Sequence, residues 1–155
     1  MIPKPTKRAP RPRRRIARTS RPPSRAKLES QRKRLHRKAW ALWSEWIRRS
    51  AADDDGLVAC YTCRRVRPWQ EMHAGHYLHG ALDFEPRNIH AQCAQCNTFR
   101  HGAGDLYTLR LIDEIGRADV DALRQLAALR PRYEIADLEA IIADTRAKLA
   151  TLGAR

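Results

Sequence analysis

The chain has 155 residues and a formal net charge of +14, from 31 Lys and Arg against 17 Asp and Glu. That charge is uneven: residues 1–38 carry 16 basic side chains and one acid, Glu29, while residues 39–155 are close to neutral. No apolar run approaches the ~18 residues of a membrane span, and no apolar core follows the N-terminal charges, so a membrane-spanning or secreted protein is not expected.

Residues 1–25 are mostly Pro, Arg, Lys and Ser and read as a disordered basic arm, with Arg13, Arg14 and Arg15 at its densest point. Six of the nine prolines fall in the first 23 residues, which spoils an amphipathic targeting helix there. Sixteen basic residues against one acid across residues 1–38 suit a polyanion partner better than a solubilising tail.

Residues 26–50 then turn helical. Leu28, Leu35, Ala39, Leu42, Trp43 and Trp46 recur at spacings of three, four and seven. Arg32, Lys33, Arg34, Arg37 and Lys38 occupy the other faces, as candidate phosphate contacts, with His36 among them as an exposed residue. The tryptophans read as core. Asp53, Asp54, Asp55 and Gly56 end the helix in a solvated turn.

Residues 51–104 hold all four cysteines and five of the six histidines. Short strands are expected at Val58–Cys60, Met72–Tyr77 and Ile89–Gln92, a loop at Asp83–Arg87, and a short helix from about Cys93 to before Gly102. The cysteines form two C-x-x-C pairs, Cys60/Cys63 and Cys93/Cys96. Two such turns complete a four-sulfur tetrahedral shell, and Zn²⁺ suits it. A closed shell of that kind is a staple, with no open position for catalysis. Between the cysteine pairs lie His73, His76, His79, Asn88 and His90, and just after them come Asn97 and His101. Strand, loop, strand and helix make a ββα unit. Asn97 and His101, at i and i+4, are expected on one face of its helix, toward the histidines of the first strand. Such a set would accept a second, open divalent cation.

Residues 105–155 read as three helices. Their stripes are Leu106/Leu109/Ile112/Ile115, stopped at Gly116; Val120/Leu123/Leu126/Leu129, stopped near Pro131; and Ile135/Leu138/Ile142/Leu149/Leu152. The last helix either packs on its own domain or supplies a homodimer interface. The fold class expected is α+β: a small zinc-stapled core flanked by helices.

The string His73-Ala74-Gly75-His76-Tyr77, followed by Asn88-Ile89-His90 and Cys93-Ala94-Gln95-Cys96-Asn97, resembles the HNH (ββα-metal) nuclease motif. More narrowly, from about Trp40 to about Leu126, it resembles the NinG/Rap family of lambdoid phages, which are recombination endonucleases. The resemblance implies that His76 is the general base and that Asn88 braces the loop and orients it. It implies that Asn97 is a ligand of a catalytic Mg²⁺ or Mn²⁺, that His101 is another one turn on, and that Arg100 contacts a phosphate. Many HNH motifs hold Asp or His immediately before the base. Here that position is Gly75, and His73 is the substitute ligand if the strand bulges. His79 and His90 are then surface or phosphate-contacting residues. The implied substrate is branched DNA, such as Holliday junctions or D-loops, cut in the cytoplasm of a bacterial host during phage recombination. Two other readings stand beside it: a non-catalytic zinc module that binds nucleic acid, and an HNH nuclease of the homing or restriction type.

Overall fold

The computed structural model describes residues 22–80 and 82–153. Most of the basic arm, including Arg13, Arg14 and Arg15, lies outside the described residues. The elements are α1 (Arg25–Ser50), β1 (Leu57–Ala59), β2 (Val66–Pro68), β3 (Met72–His76), β4 (Ile89–Cys93), α2 (Gly104–Ile115), α3 (Arg117–Ala128) and α4 (Ile135–Thr151). The architecture is mixed: two antiparallel hairpins, β1–β2 and β3–β4, among four helices. Among the described residues no helix is long and apolar enough to cross a membrane.

Helix α1 starts where Ser24, in extended backbone, accepts from the Lys27 N–H at 3.3 Å. Its stripe of Ala39, Trp43 and Ile47 is buried against Ala74 of β3, Ile89 of β4, Phe84, and Leu138 and Ile142 of α4. The last helix therefore turns its apolar stripe onto α1, the intramolecular one of the two expected arrangements. Each fully buried Leu or Ile there contributes roughly 1.5–3 kcal/mol. A second core holds Val58, Met72, Ala91 and Cys60, Cys93 and Cys96. A third joins Leu82 of the β3–β4 loop to Leu111, Val120 and Leu123 of α2 and α3.

Strand β2 was not expected. All three of its residues are exposed, so no apolar alternation marks it; it is a strand because it pairs with β1 across the first cysteine turn. Nor does β3 bulge: Met72↔Cys93 through His76↔Ile89 pair one to one. The expected helix after Cys93 is a single π-helical turn, Gln95–Phe99. His101, Gly102 and Ala103 follow it, all at positive φ.

Candidate functional site

The first cysteine pair lies in the turn between β1 and β2. Arg64 is left-handed there (φ 63°), and its N–H bonds the Cys60 carbonyl at 2.9 Å. The second pair starts at the end of β4. Two bonds join the pairs: Tyr61 N–H to the Ala91 carbonyl (2.9 Å), and Cys93 N–H to Cys60 Sγ (3.3 Å). All four Sγ atoms lie within 4.8 Å of one another, with Cys63 and Cys93 at 3.8 Å. A Zn–S bond of ~2.3 Å sets a tetrahedral edge of about 3.8 Å, so the four sulfurs can hold one metal ion such as zinc. Burial pushes the Cys93 and Cys96 thiols up, Cys96 to about 12. Burial acts on Cys60 too, but the Thr62 hydroxyl and the backbone N–H groups of Cys63, Cys93 and Thr62 bring it down to about 6. Four thiolates this close repel one another unless a cation sits among them.

The histidines gather elsewhere. A cleft of about 450 Å³ is lined by Trp40, Ser44 and Arg48 of α1, His73 and His76 of β3, and by His79 and Asn97. His73 and His76 are three apart on a regular strand, so they leave its opposite faces and meet the cleft around its edge. Asn97 Nδ2 lies 3.1 Å from His73 Nδ1. Trp40 stacks on His76 at 4.7 Å between ring centroids. His76 Nε2 is buried 3.2 Å from Asp83 Oδ1, an ion-pair distance without hydrogen-bond alignment. Contact with His76, ahead of contact with His36, holds the Asp83 carboxyl below its usual range against the opposing effect of burial.

Asn88 is fully buried and ties the β3–β4 loop. Its Nδ2 donates to the carbonyls of Leu78 (2.9 Å) and Leu82 (3.0 Å), and its Oδ1 accepts from the Leu78 N–H (2.8 Å). Tyr107 anchors the other side: its hydroxyl donates to the Gly75 carbonyl at 3.0 Å and meets His90 Nδ1 at 2.9 Å.

Four expectations change. His101 is exposed and left-handed beyond the π-helical turn, and it does not line the cleft, so the shared face with Asn97 does not form. His36 is half-buried with its Nε2 3.1 Å from Asp83 Oδ2. His90 is also half-buried, stacked on Tyr61 at 3.9 Å. Arg32 is bonded to Glu29 at 2.7 Å, leaving Lys33, Arg34, Arg37 and Lys38 as the exposed cations of that stretch. Arg100 is exposed just past the π-helical turn.

Gly75 explains the missing carboxylate. A Cβ there would lie 2.0 Å from Gln92 Oε1 and 2.7 Å from its Cδ. Gln92 is buried, donating to Thr62 Oγ1 (3.2 Å) and to the Gly102 carbonyl (2.9 Å). Among the described residues, the cysteines are the one group of His, Cys, Asp and Glu side chains that converges tightly enough to hold a metal.

The family model described as "NinG: Bacteriophage Lambda NinG protein" matches residues 2–154. The chain is 36% identical over 104 residues to Protein ninG of Salmonella phage P22 and to that of Escherichia phage lambda, covering 63% of this chain and 49% of each relative. It is 40% identical over 85 residues to Protein ninG of Enterobacteria phage H19B, covering 51% of this chain and 41% of that relative. The chain spans about half the length of the curated relatives it matches. No solved structure matches it significantly.

Proposed function

We propose that this chain, which belongs to the NinG family of lambdoid phages, is a metal-dependent endonuclease that cuts branched DNA during phage recombination. The observation that carries this reading is the convergence of His76, His73 and Asn97 on one open cleft beside a basic helix. The HNH resemblance supplies their roles.

Cys60, Cys63, Cys93 and Cys96 hold Zn²⁺ as a closed structural shell. His73 and the Asn97 side-chain amide would hold Mg²⁺ or Mn²⁺, and that cation would supply neutralisation of the charge developing on the phosphate and the leaving oxygen. His76 takes a proton from the attacking water, a task suited to imidazole at neutral pH. Asn88 keeps the loop behind His76 in place through its three bonds. Lys33, Arg34, Arg37, Lys38, Arg100 and the N-terminal arm contact phosphates, which positions DNA without selecting sequence.

The test is incubation of the purified protein with four-way junction, D-loop, duplex and single-stranded DNA, each with Mg²⁺, Mn²⁺ or EDTA. Cutting that needs the divalent ion and favours branched DNA is expected. Asn97→Ala should cut less and recover in part as Mg²⁺ or Mn²⁺ is raised. Tight binding with no cutting under any divalent ion would return the chain to a non-catalytic zinc module.

A further inference from the structure

We propose that Asp83 is the positioning residue of His76: its carboxylate holds the imidazole with Nε2 protonated and leaves Nδ1 for water in the cleft. This rests on the reading of His76 as the general base.

The placement begins in the chain on either side of Asp83. Leu82 is buried in the α2–α3 core, and Phe84 is buried in the α1–α4 core. Phe84 meets Trp43 edge-on at 5.9 Å and Tyr133 at 4.9 Å, and its N–H donates to the Tyr133 hydroxyl at 3.4 Å. Asn88 fixes the Leu82 carbonyl at 3.0 Å. Asp83 is thus a loop residue clamped between two separate cores.

Its two oxygens face two imidazoles from different elements. Oδ1 is 3.2 Å from His76 Nε2 on β3, and Oδ2 is 3.1 Å from His36 Nε2 on α1. Trp40, one helical turn beyond His36, covers the face of the His76 ring at 4.7 Å, and His79 lies 5.3 Å from it. Stacking fixes the ring plane, and a carboxylate 3.2 Å from Nε2 favours the proton on that nitrogen by its charge, a small ring rotation completing the hydrogen bond. The nitrogen left over belongs to a ring that lines the cleft. A carboxylate that orients an imidazole base by its far nitrogen does the same in serine hydrolases and at metal-bound histidines.

The test uses the full-length, zinc-loaded protein and the near-isosteric variant Asp83→Asn. Long-range ¹H–¹⁵N NMR of histidine side chains, at a pH where imidazole is neutral, should show His76 protonated at Nε2 in the wild type. The variant should show a mixture of the two forms. Its kcat on branched DNA should fall roughly tenfold to a hundredfold with little change in KM. His36→Gln, which keeps a donor toward Oδ2, should lose less. An unchanged His76 tautomer together with wild-type kcat in Asp83→Asn would overturn the proposal. A wild-type protein that never cuts DNA would sink the nuclease reading alone, because the NMR comparison still decides whether Asp83 sets His76.

Discussion

The cysteine centre and the histidine cleft meet at the β3–β4 hairpin, the cysteine centre joining the end of β4 to the β1–β2 turn, yet they differ in what they leave open. In the cysteine centre, four like side chains from two turns bring their sulfurs within 4.8 Å of one another, and backbone N–H groups already bond the Cys60 sulfur. Nothing there has room for a substrate. In the cleft, the polar side chains are unlike and few, they come from several segments, and the volume between them is open. On the proposed reading, the difference separates a site that stabilises from a site that reacts. It also makes the two separable by experiment.

The largest effect should come from the cysteines. Structural zinc contributes on the order of 10–16 kcal/mol in small domains, and the core around these sulfurs is small. Chelation, or Cys60→Ser, should unfold the hairpins and bring down the α1 packing with them. Circular dichroism and metal analysis check this: about one tightly held zinc, lost together with the fold. A metal-free protein that stays folded would erase the contrast between the two sites.

His76→Ala should act on the other side alone. General-base catalysis contributes typically ~10²- to 10⁴-fold, and the residue touches neither the sulfurs nor the exposed cations of α1. Cleavage should fall by that factor, with zinc content and DNA affinity near wild type. Wild-type cutting by this variant would move the base to His73 or His79.

Asn88→Ala sits between these extremes. It removes three hydrogen bonds to the loop that carries Asp83. Each buried group left unpaired costs roughly 1–3 kcal/mol. Urea unfolding should show that loss while the zinc stays bound, and cleavage should drop because His76 loses its support. A variant of unchanged stability would mean that water replaces Asn88 without cost.

Much of this was legible in the residues, and the failures have physical causes. The helices announced themselves by apolar stripes that end at Gly116 and Pro131, and the metal centre by the spacing of its cysteines. Asp83 did not, because its partners depend on where Leu82 and Phe84 are buried. A carboxylate set between two large apolar residues in a loop was the available signal. His101 does not share a face with Asn97 because the segment between them lacks α-helical periodicity. A π-helical turn followed by three residues at positive φ has no such period. The half-buried states of His36 and His90 are set by contacts across the fold, with Asp83 and with Tyr61 and Tyr107.

Gly75→Ala should give the smallest effect and the most direct reading of how the two sites are joined. The new Cβ would lie 2.0, 2.7 and 3.0 Å from Gln92 Oε1, Cδ and Cγ. Gln92 cannot swing away freely. It is fully buried, and its amide reaches Thr62, which lies 3.4 Å from Cys60 Sγ, and the Gly102 carbonyl. Overpacking of this kind costs about 1–3 kcal/mol. It should appear as a lower urea midpoint with unchanged m-value. Because Gln92 stands between Gly75 and the cysteine turn, the damage should reach both sides: slightly weaker zinc retention and slightly slower cleavage. Adding Gln92→Ala makes room for the methyl group, so the double variant should lose less stability than the sum of the singles. Strict additivity would show that Gln92 does not couple the two sites. Gly75→Asp, which restores the carboxylate found before the base in many HNH motifs, should fold worse than Gly75→Ala, since it adds an unpaired charge to the same filled space.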